Sequence, residues 1–304
     1  PIKVERTVLW RIKRANMLKG FFYSPQHRTL YLNRGFSSAQ ENFLIGRELG
    51  FQCMGIEERP NATRIVRQDS FEKLFNNFKA SYFSVALLMD EHELVKDIKR
   101  LAQQSTWQPD ALLSLLSKYD VTPEMLLQRM SNILPKHMGI KDLFFLRLNG
   151  ASDLKSYYMT KELHLSQHHN PHGNVRDEHY CRRWISINII KQLRASRRKE
   201  PIAAAQISQY WETTNEYLCL AISKPNDDDA KASVSVTIGL LITPQVREYF
   251  GFLNDPNLKV KQVNTTCERC SMPDCGARAM SPVILEEQDE HQRVLAGLEE
   301  LGTP

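Results

Sequence analysis

No window of the 304-residue sequence approaches the ~18 uninterrupted apolar residues of a membrane span, and the opening Pro1-Ile2-Lys3-Val4-Glu5-Arg6 lacks the apolar core of a signal peptide. Neither a membrane protein nor an exported one is expected, and the sequence reads as cytoplasmic. Glycine and proline are scarce, at 13 and 14 residues, which excludes a collagen-like chain or a long linker. Internal repeats and low-complexity stretches are missing as well. What is present, 42% hydrophobic and 25% charged residues, excludes bulk disorder. The length suits about two globular domains. Lys and Arg number 40 against 35 Asp and Glu, an excess of five that leans toward an anionic partner without demanding nucleic acid.

Periodicity divides the chain. From Phe71 to Gln103, apolar residues recur at helical spacing (Phe71, Leu74, Phe75, Phe78, Tyr82, Phe83, Ala86, Leu87), which predicts one long buried helix, broken at most once. After Pro109, the stripe Leu112, Leu113, Leu115, Leu116 predicts a second helix. Thr122-Pro123-Glu124 then supplies an N-cap and an N1 proline for a third, carrying Met125, Leu126, Met130 and Ile133. These two meet at Tyr119-Asp120-Val121. Val8 to Lys19 also enters a helical pattern, abruptly enough to suggest that an earlier domain precedes it. The second half holds strand-like runs at Ala203–Trp211, Glu216–Ser223 and Ser233–Thr243, with the charged Asn226 to Lys231 as a hairpin loop. A final helix from Ile284 to Leu301 has Val294, Leu295, Leu298 and Leu301 on one stripe. The expectation is an α+β protein. A helical domain over residues 1–138 is followed by an α+β domain over 139–304 with an antiparallel sheet.

Six cysteines in a chain without export signals argue against disulfides and for a thiolate metal or cluster site. Cys267, Cys270 and Cys275 form a C-x2-C-x4-C knuckle. The two-residue spacer lets both sulfurs face one centre while turn amides donate to them, and the third closes a face of a tetrahedron or cubane. Cys181 is the best fourth ligand, because Cys219 sits mid-strand as a core residue and Cys53 lies in the other domain. His164, His168, His169, His172 and His179 form a second cluster. Their spacing follows no metal motif, and Asn170 to Asn174 reads as a turn. Arg182, Arg183, Arg194, Arg197, Arg198 and Lys199 gather guanidinium and ammonium groups that suit phosphates, or else form a solvated face. Arg47-Glu48-Leu49-Gly50-Phe51 has the outline of a zinc-peptidase helix, but Arg47 and Phe51 stand where the two metal-binding histidines belong. With no metal-bound water for Glu48 to activate, the chain is not expected to be an enzyme. The Thr122–Ile133 helix offers only Arg129 as a basic reader of DNA.

The segments Phe43 to Gly50, Phe78 to Met89 and Tyr119 to Met130 together resemble the ImmA/IrrE peptidase-like domain over roughly the first 135 residues. Lys79 falls near the family's third, acidic ligand, so the likeness is to a degenerate copy. The second half resembles the ligand-sensing domain joined to that module in XRE-type bacterial regulators of short-chain fatty acid metabolism. The resemblance is carried by Cys267 to Cys275 continuing into Gly276-Ala277-Arg278-Ala279-Met280-Ser281-Pro282, and by Cys181-Arg182-Arg183-Trp184. It implies that Cys181, Cys267, Cys270 and Cys275 hold an iron–sulfur cluster, with zinc as the alternative. It also implies that the domain binds coenzyme A or a short-chain or fatty acyl-CoA, whose phosphates the basic residues above would take. Operator DNA would be reached through an N-terminal helix-turn-helix absent from this sequence. A homodimer or higher homo-oligomer is expected, with the final helix as one surface. The competing expectation is a redox or metal sensor in which the cysteine site is itself the switch and no metabolite binds.

Overall fold

The computed structural model describes residues 2–7, 20–62, 70–165, 178–226 and 232–302. The chain forms two compact units, one from Pro1–Leu101 and Asp110–Met138, the other from Ala102–Pro109, Gly139–Asn226 and Lys231–Pro304. Val8 to Lys19 and most of the Asn226 to Lys231 loop lie outside the described residues.

The first unit opens on a small sheet of β1 (Lys3–Thr7), β2 (Phe21–Ser24) and β3 (Thr29–Asn33), where β1 runs parallel to β3 and β2 antiparallel to it. Phe21, Tyr23, Leu30 and Leu32 pack with Leu44 of the first helix into one cluster. That helix, α1 (Ser38–Cys53), starts at a capping box in which the Ser37 side chain accepts from the Gln40 amide and Gln40 accepts from the Ser37 amide. The expected helix over 71–103 breaks at Met89-Asp90 into α2 (Phe71–Leu88) and α3 (Glu91–Ala102). It is also turned the other way from the expectation. Asn76, Ala80, Ser84 and Val85 are the buried residues of α2, while Phe71, Leu74, Phe75, Phe78, Tyr82 and Leu87 are exposed.

The reason lies in how closely α1 approaches. A Cβ built on Gly46 would stand 2.6 Å from Ser84 Oγ, and one on Gly50 would stand 3.0 Å from the Phe83 ring. Ser84 fits against Gly46 and the Phe83 ring against Gly50 because neither glycine carries a side chain, and with that face turned to α1 the remaining large side chains point away. Then come α4 (Pro109–Tyr119) and α5 (Pro123–Met138), separated at Asp120, whose φ of 48° reverses the chain. Leu112, Leu115 and Leu116, then Met125, Leu126, Met130 and Ile133, are buried as the periodicity predicts.

The second unit is built on a six-stranded sheet ordered β5-β4-β8-β7-β6-β9. Its members are β4 (Leu143–Gly150), β5 (Tyr157–His164), β6 (Ile202–Tyr210), β7 (Glu216–Pro225), β8 (Ser233–Leu241) and β9 (Lys259–Val263). All neighbours are antiparallel except β9, which joins the edge of β6 in parallel. One helix, α6 (Ile185–Ser196), lies against the sheet with Ile187, Ile189, Ile190 and Leu193 buried. Beneath it, Phe144, Leu146, Tyr217, Cys219 and Val263 join Trp184 in one apolar core. Gly239 of β8 is required there, since a Cβ would run into the Phe144 ring. A short helix α7 (Pro244–Tyr249) leads toward β9, and α8 (Val283–Glu300) closes the described chain. Within α8, Ile284 is the buried residue; Val294, Leu295, Leu298 and the following Leu301 are exposed, so the predicted stripe is not core.

Candidate functional site

Two segments far apart in sequence come together to form the site. Residues 178–181 run antiparallel to 264–267: the Cys181 amide donates to Thr265 O at 3.0 Å and the Cys267 amide to His179 O at 2.8 Å, around a Tyr180–Thr266 bridge. Charged side chains clamp this pairing. Glu268 accepts from the His179 amide at 2.9 Å and contacts His179 Nδ1 at 2.7 Å. Glu178 accepts from Thr266 Oγ1 at 2.6 Å and from Arg269 at 2.7 and 2.8 Å. Behind the pairing, the Trp184 indole donates to Asn264 O, and its ring stacks on Tyr180 at 5.5 Å. Trp211 ties the other side of the knuckle through Ser271 Oγ at 2.7 Å.

This scaffold places Cys181, Cys267, Cys270 and Cys275 around one pocket, with Arg182, Arg183, Met272 and Arg278 also in its wall. The Arg278 guanidinium donates to Cys267 O and Cys270 O at 3.2 Å, and to Met272 O, holding the knuckle in a closed loop. Backbone amides point at sulfur: Ala279 N donates to Cys267 Sγ at 3.3 Å, and Asn264 N to Cys181 Sγ at 3.5 Å. Burial raises the Cys181 thiol, opposed by the amides of Asn264 and Arg183. The remaining two cysteines fall outside the pocket lining, as the sequence predicts. Cys219 is buried in β7, where desolvation pushes its thiol up to about 12, and Cys53 is exposed in the first unit. Among the described residues no three His, Cys, Asp or Glu side chains stand already gathered as a single-ion site. The four cysteines nonetheless line one pocket, with amide donors beside two of their sulfurs. That donor set, all thiol with N–H···S support, is the chemistry an iron–sulfur cluster or a zinc ion takes.

The predicted basic residues do not gather in one place. Arg182 and Arg183 sit at the cysteine pocket, with Arg182 stacked over Tyr157 at 4.7 Å and Arg183 donating to Met272 Sδ at 3.0 Å. Arg194, Arg197, Arg198 and Lys199 lie at the opposite end of α6, roughly 20 Å away at 1.5 Å rise per residue. Arg197 is the left-handed C-cap of that helix at φ 54°, and Arg194 reaches Ser152 O at 3.4 Å. Other cations take up position near Arg183. Burial lowers the Lys261 pKa, and Lys259, Arg183 and Lys191 lower it further. Lys259 and Lys261 share a face of β9 by strand alternation. The sequence reading missed them because they are spread over nearly 80 positions, and it is the parallel addition of β9 to β6 that brings Lys259 and Lys261 into the sheet. Of the histidines, His164 is paired with Glu162 and His179 with Glu268; His168, His169 and His172 lie outside the described residues.

In the first unit, the peptidase-like helix is filled by arginine. Arg47 stacks over Phe21 at 4.1 Å and donates to Asn77 Oδ1 at 3.2 Å. Arg59 bridges both Glu48 oxygens at 2.9 Å while lying 4.2 Å over Tyr23 and 4.8 Å over Phe51. Burial lowers the Arg47 pKa to about 10. Lys79, near the expected third ligand, rests over Phe75 at 4.5 Å. Arg129 is buried against Tyr82 and Glu91, so it is not displayed as a DNA reader.

Comparison with known proteins agrees with this architecture. Residues 12–131 match the family described as the IrrE N-terminal-like domain of the M78 peptidases. The whole fold is similar to a Mycobacterium tuberculosis transcriptional regulator, with a TM-score of 0.61 and 17% identity, over 92% of this chain and 78% of that one. No curated protein matches the sequence.

Proposed function

We propose that the chain is the effector part of a bacterial transcriptional regulator. Its second unit would hold an iron–sulfur cluster on Cys181, Cys267, Cys270 and Cys275, and sense coenzyme A or a short-chain or fatty acyl-CoA. The observation that carries this reading is the convergence on one pocket of Cys181, Arg182 and Arg183 with Cys267, Cys270 and Cys275, which lie 84 or more positions further along the sequence. The IrrE-like first unit and the likeness to a transcriptional regulator support the regulatory role. In this reading the cluster fastens the knuckle to the segment before α6, and a ligand that binds one arrangement more tightly shifts the population toward it. DNA binding would be passed to a helix-turn-helix beyond this chain, in a cytoplasmic homodimer or higher homo-oligomer.

Arg183 with Lys191, Lys259 and Lys261 offers the pyrophosphate or ribose phosphate a cradle of like charges that a dianion relieves. Arg194, Arg197, Arg198 and Lys199, one helix length away, are free to meet the far end of so long a ligand. We also infer that the first unit does not hydrolyse peptides. Glu48 is neutralised by Arg59, and Arg47 and Phe51 occupy the metal-binding positions.

A second reading, a redox or metal sensor without metabolite, is favoured by the separation of the two basic groups along α6. Anaerobic purification with visible spectroscopy and native mass spectrometry decides between them. A brown protein carrying, or titrating with, a CoA-sized mass supports the acyl-CoA sensor. A brown protein indifferent to CoA leaves the redox sensor, whereas a colourless zinc protein overturns the cluster. Lys261→Ala with Arg183→Ala should weaken CoA at least about tenfold, the loss expected for two charge-assisted contacts. Unchanged affinity would remove the phosphate assignment.

A further inference from the structure

Helix α2 is amphipathic in the reverse sense, and its outer face is the feature the proposed function leaves unexplained. Its inward side is small and polar, Asn76, Ala80 and Ser84. Its outward side carries Phe71, Leu74, Phe75, Phe78 and Tyr82 at i, i+3, i+4, i+7 and i+11, with 77, 45, 44, 54 and 44% of each residue exposed. Scattered exposed hydrophobics need no explanation, but a continuous aromatic stripe on one helix marks a binding surface. Phe71 and Phe75 stack at 6.0 Å, and Arg129 donates to the Tyr82 hydroxyl at 3.1 Å.

We propose that the occupant is a second copy of this chain, its α2 lying antiparallel on the first. The argument is the charge along the stripe's edge. Glu72 and Lys79 are seven residues apart and therefore within about 20° of each other on the helix, both on the same flank of the stripe. In antiparallel helices, residues on one flank meet residues on the same flank of the neighbour. A two-fold axis passing between Phe75 and Asn76 sets Glu72 of each copy against Lys79 of the other, giving two ion pairs by symmetry. Lys79 is poised for this, with its ammonium 4.5 Å from the Phe75 ring. A parallel pairing would set Glu72 and Lys79 against the opposite flank of the neighbour, where Ser70, Asn77 and Ser81 offer no charge. The exposed fractions of the five side chains amount to roughly 500 Å² per copy, or about 1,000 Å² in all, at the lower limit for a specific interface. The dimer is accordingly weak and concentration-dependent. The other exposed stripe, on α8, is unsuited to self-association. It is bordered by Glu286, Glu287, Asp289, Glu290, Glu299 and Glu300 against His291 and Arg293 alone.

Sedimentation equilibrium of the full chain from about 1 to 200 μM tests this. The wild type should shift from monomer to dimer, and Phe78→Glu, an exposed position whose change spares the fold, should stay monomeric. Glu72→Lys should weaken association about tenfold, through two lost ion pairs and new like-charge contacts, and Glu72→Lys with Lys79→Glu should restore it. A wild type that remains monomeric overturns the proposal. So does a dimer indifferent to Phe78→Glu, one lost instead through Leu298→Glu, or a double variant no better than the single. None of these readouts depends on the cluster or on CoA, so the failure of one proposal leaves the other standing.

Discussion

At the scale of single residues, Glu48 and Glu91 are each held by cationic partners. Glu48 and Arg59 have side chains only 5 and 8% exposed, and their contact at 2.9 Å compensates a pair of buried charges. Removing Arg59 leaves the buried carboxylate with only the neutral Gln52 amide hydrogen-bonded to it, so Arg59→Met should destabilise the first unit by about 3–5 kcal/mol in urea unfolding. A loss under about 1 kcal/mol would mean that the Gln52 amide, which donates to Glu48 at 3.0 Å, and the nearby Arg47 suffice for the buried carboxylate. Glu91 is held by Lys136 at 2.6 Å, His137 at 2.7 Å and Arg129 at 3.3 Å. The Lys136 and His137 contacts lower its pKa to about 2. Because the folded pKa lies below the unfolded one, this stabilisation is present above about pH 4.5 and is lost as pH falls toward 2. The melting temperature of Glu91→Gln should therefore lie below wild type at pH 7, and the gap should shrink steadily below about pH 4.5 and nearly close by pH 2. A gap constant across that range would sink the assignment. The sequence made Glu48 conspicuous through its motif. It gave no sign of Arg59, which reaches Glu48 from a loop eleven positions on, or of Glu91, whose partners come from another helix.

At the scale of elements, what the sequence shows depends on whether an element's own pattern or its neighbours decide its fate. β6, β7 and β8 were readable because each is a run of apolar and β-branched residues in the middle of the sheet. β5 and β9 are edge strands with polar sequences, Tyr157 to His164 and Lys259 to Val263, and carry no such signature. α6 was hidden behind its flanking arginines. The periodicity of α2 is legible in the sequence, but its direction is not, because Gly46 and Gly50 of α1 determine which face goes inward. The knuckle behaves in the same way: the spacing identifies the cysteines, and the clamp that aims them comes from elsewhere. Arg269 is the pivot, since Glu178 is 4% exposed at its side chain and depends on it for two hydrogen bonds. Arg269→Ala should cut the metal retained per chain after gel filtration at least twofold while leaving the circular dichroism of the sheet intact. Full retention would show that the Tyr180–Thr266 pairing suffices without the clamp.

At the scale of the whole molecule, the change from helical to strand-like periodicity divides the chain, and each unit has its own buried cluster, around Leu30 and Leu32 in the first and around Tyr217 and Ile190 in the second. The cysteine pocket is built entirely from residues of the second unit, so whatever binds there adds its free energy to that unit's folding. Cys267→Ser with Cys270→Ser should abolish metal retention and lower the second unit's melting temperature by at least about 5 °C, the shift expected for ~2 kcal/mol. The transition of the IrrE-like unit should hold its position in the same calorimetric scan. Arg59→Met should do the reverse, moving the first unit's transition and sparing the metal. If either variant shifted both transitions together, the two units would form one cooperative block. A ligand at the cysteines could then act on the first unit only through global stability, and a switch relying on local rearrangement beside α6 would have to be abandoned.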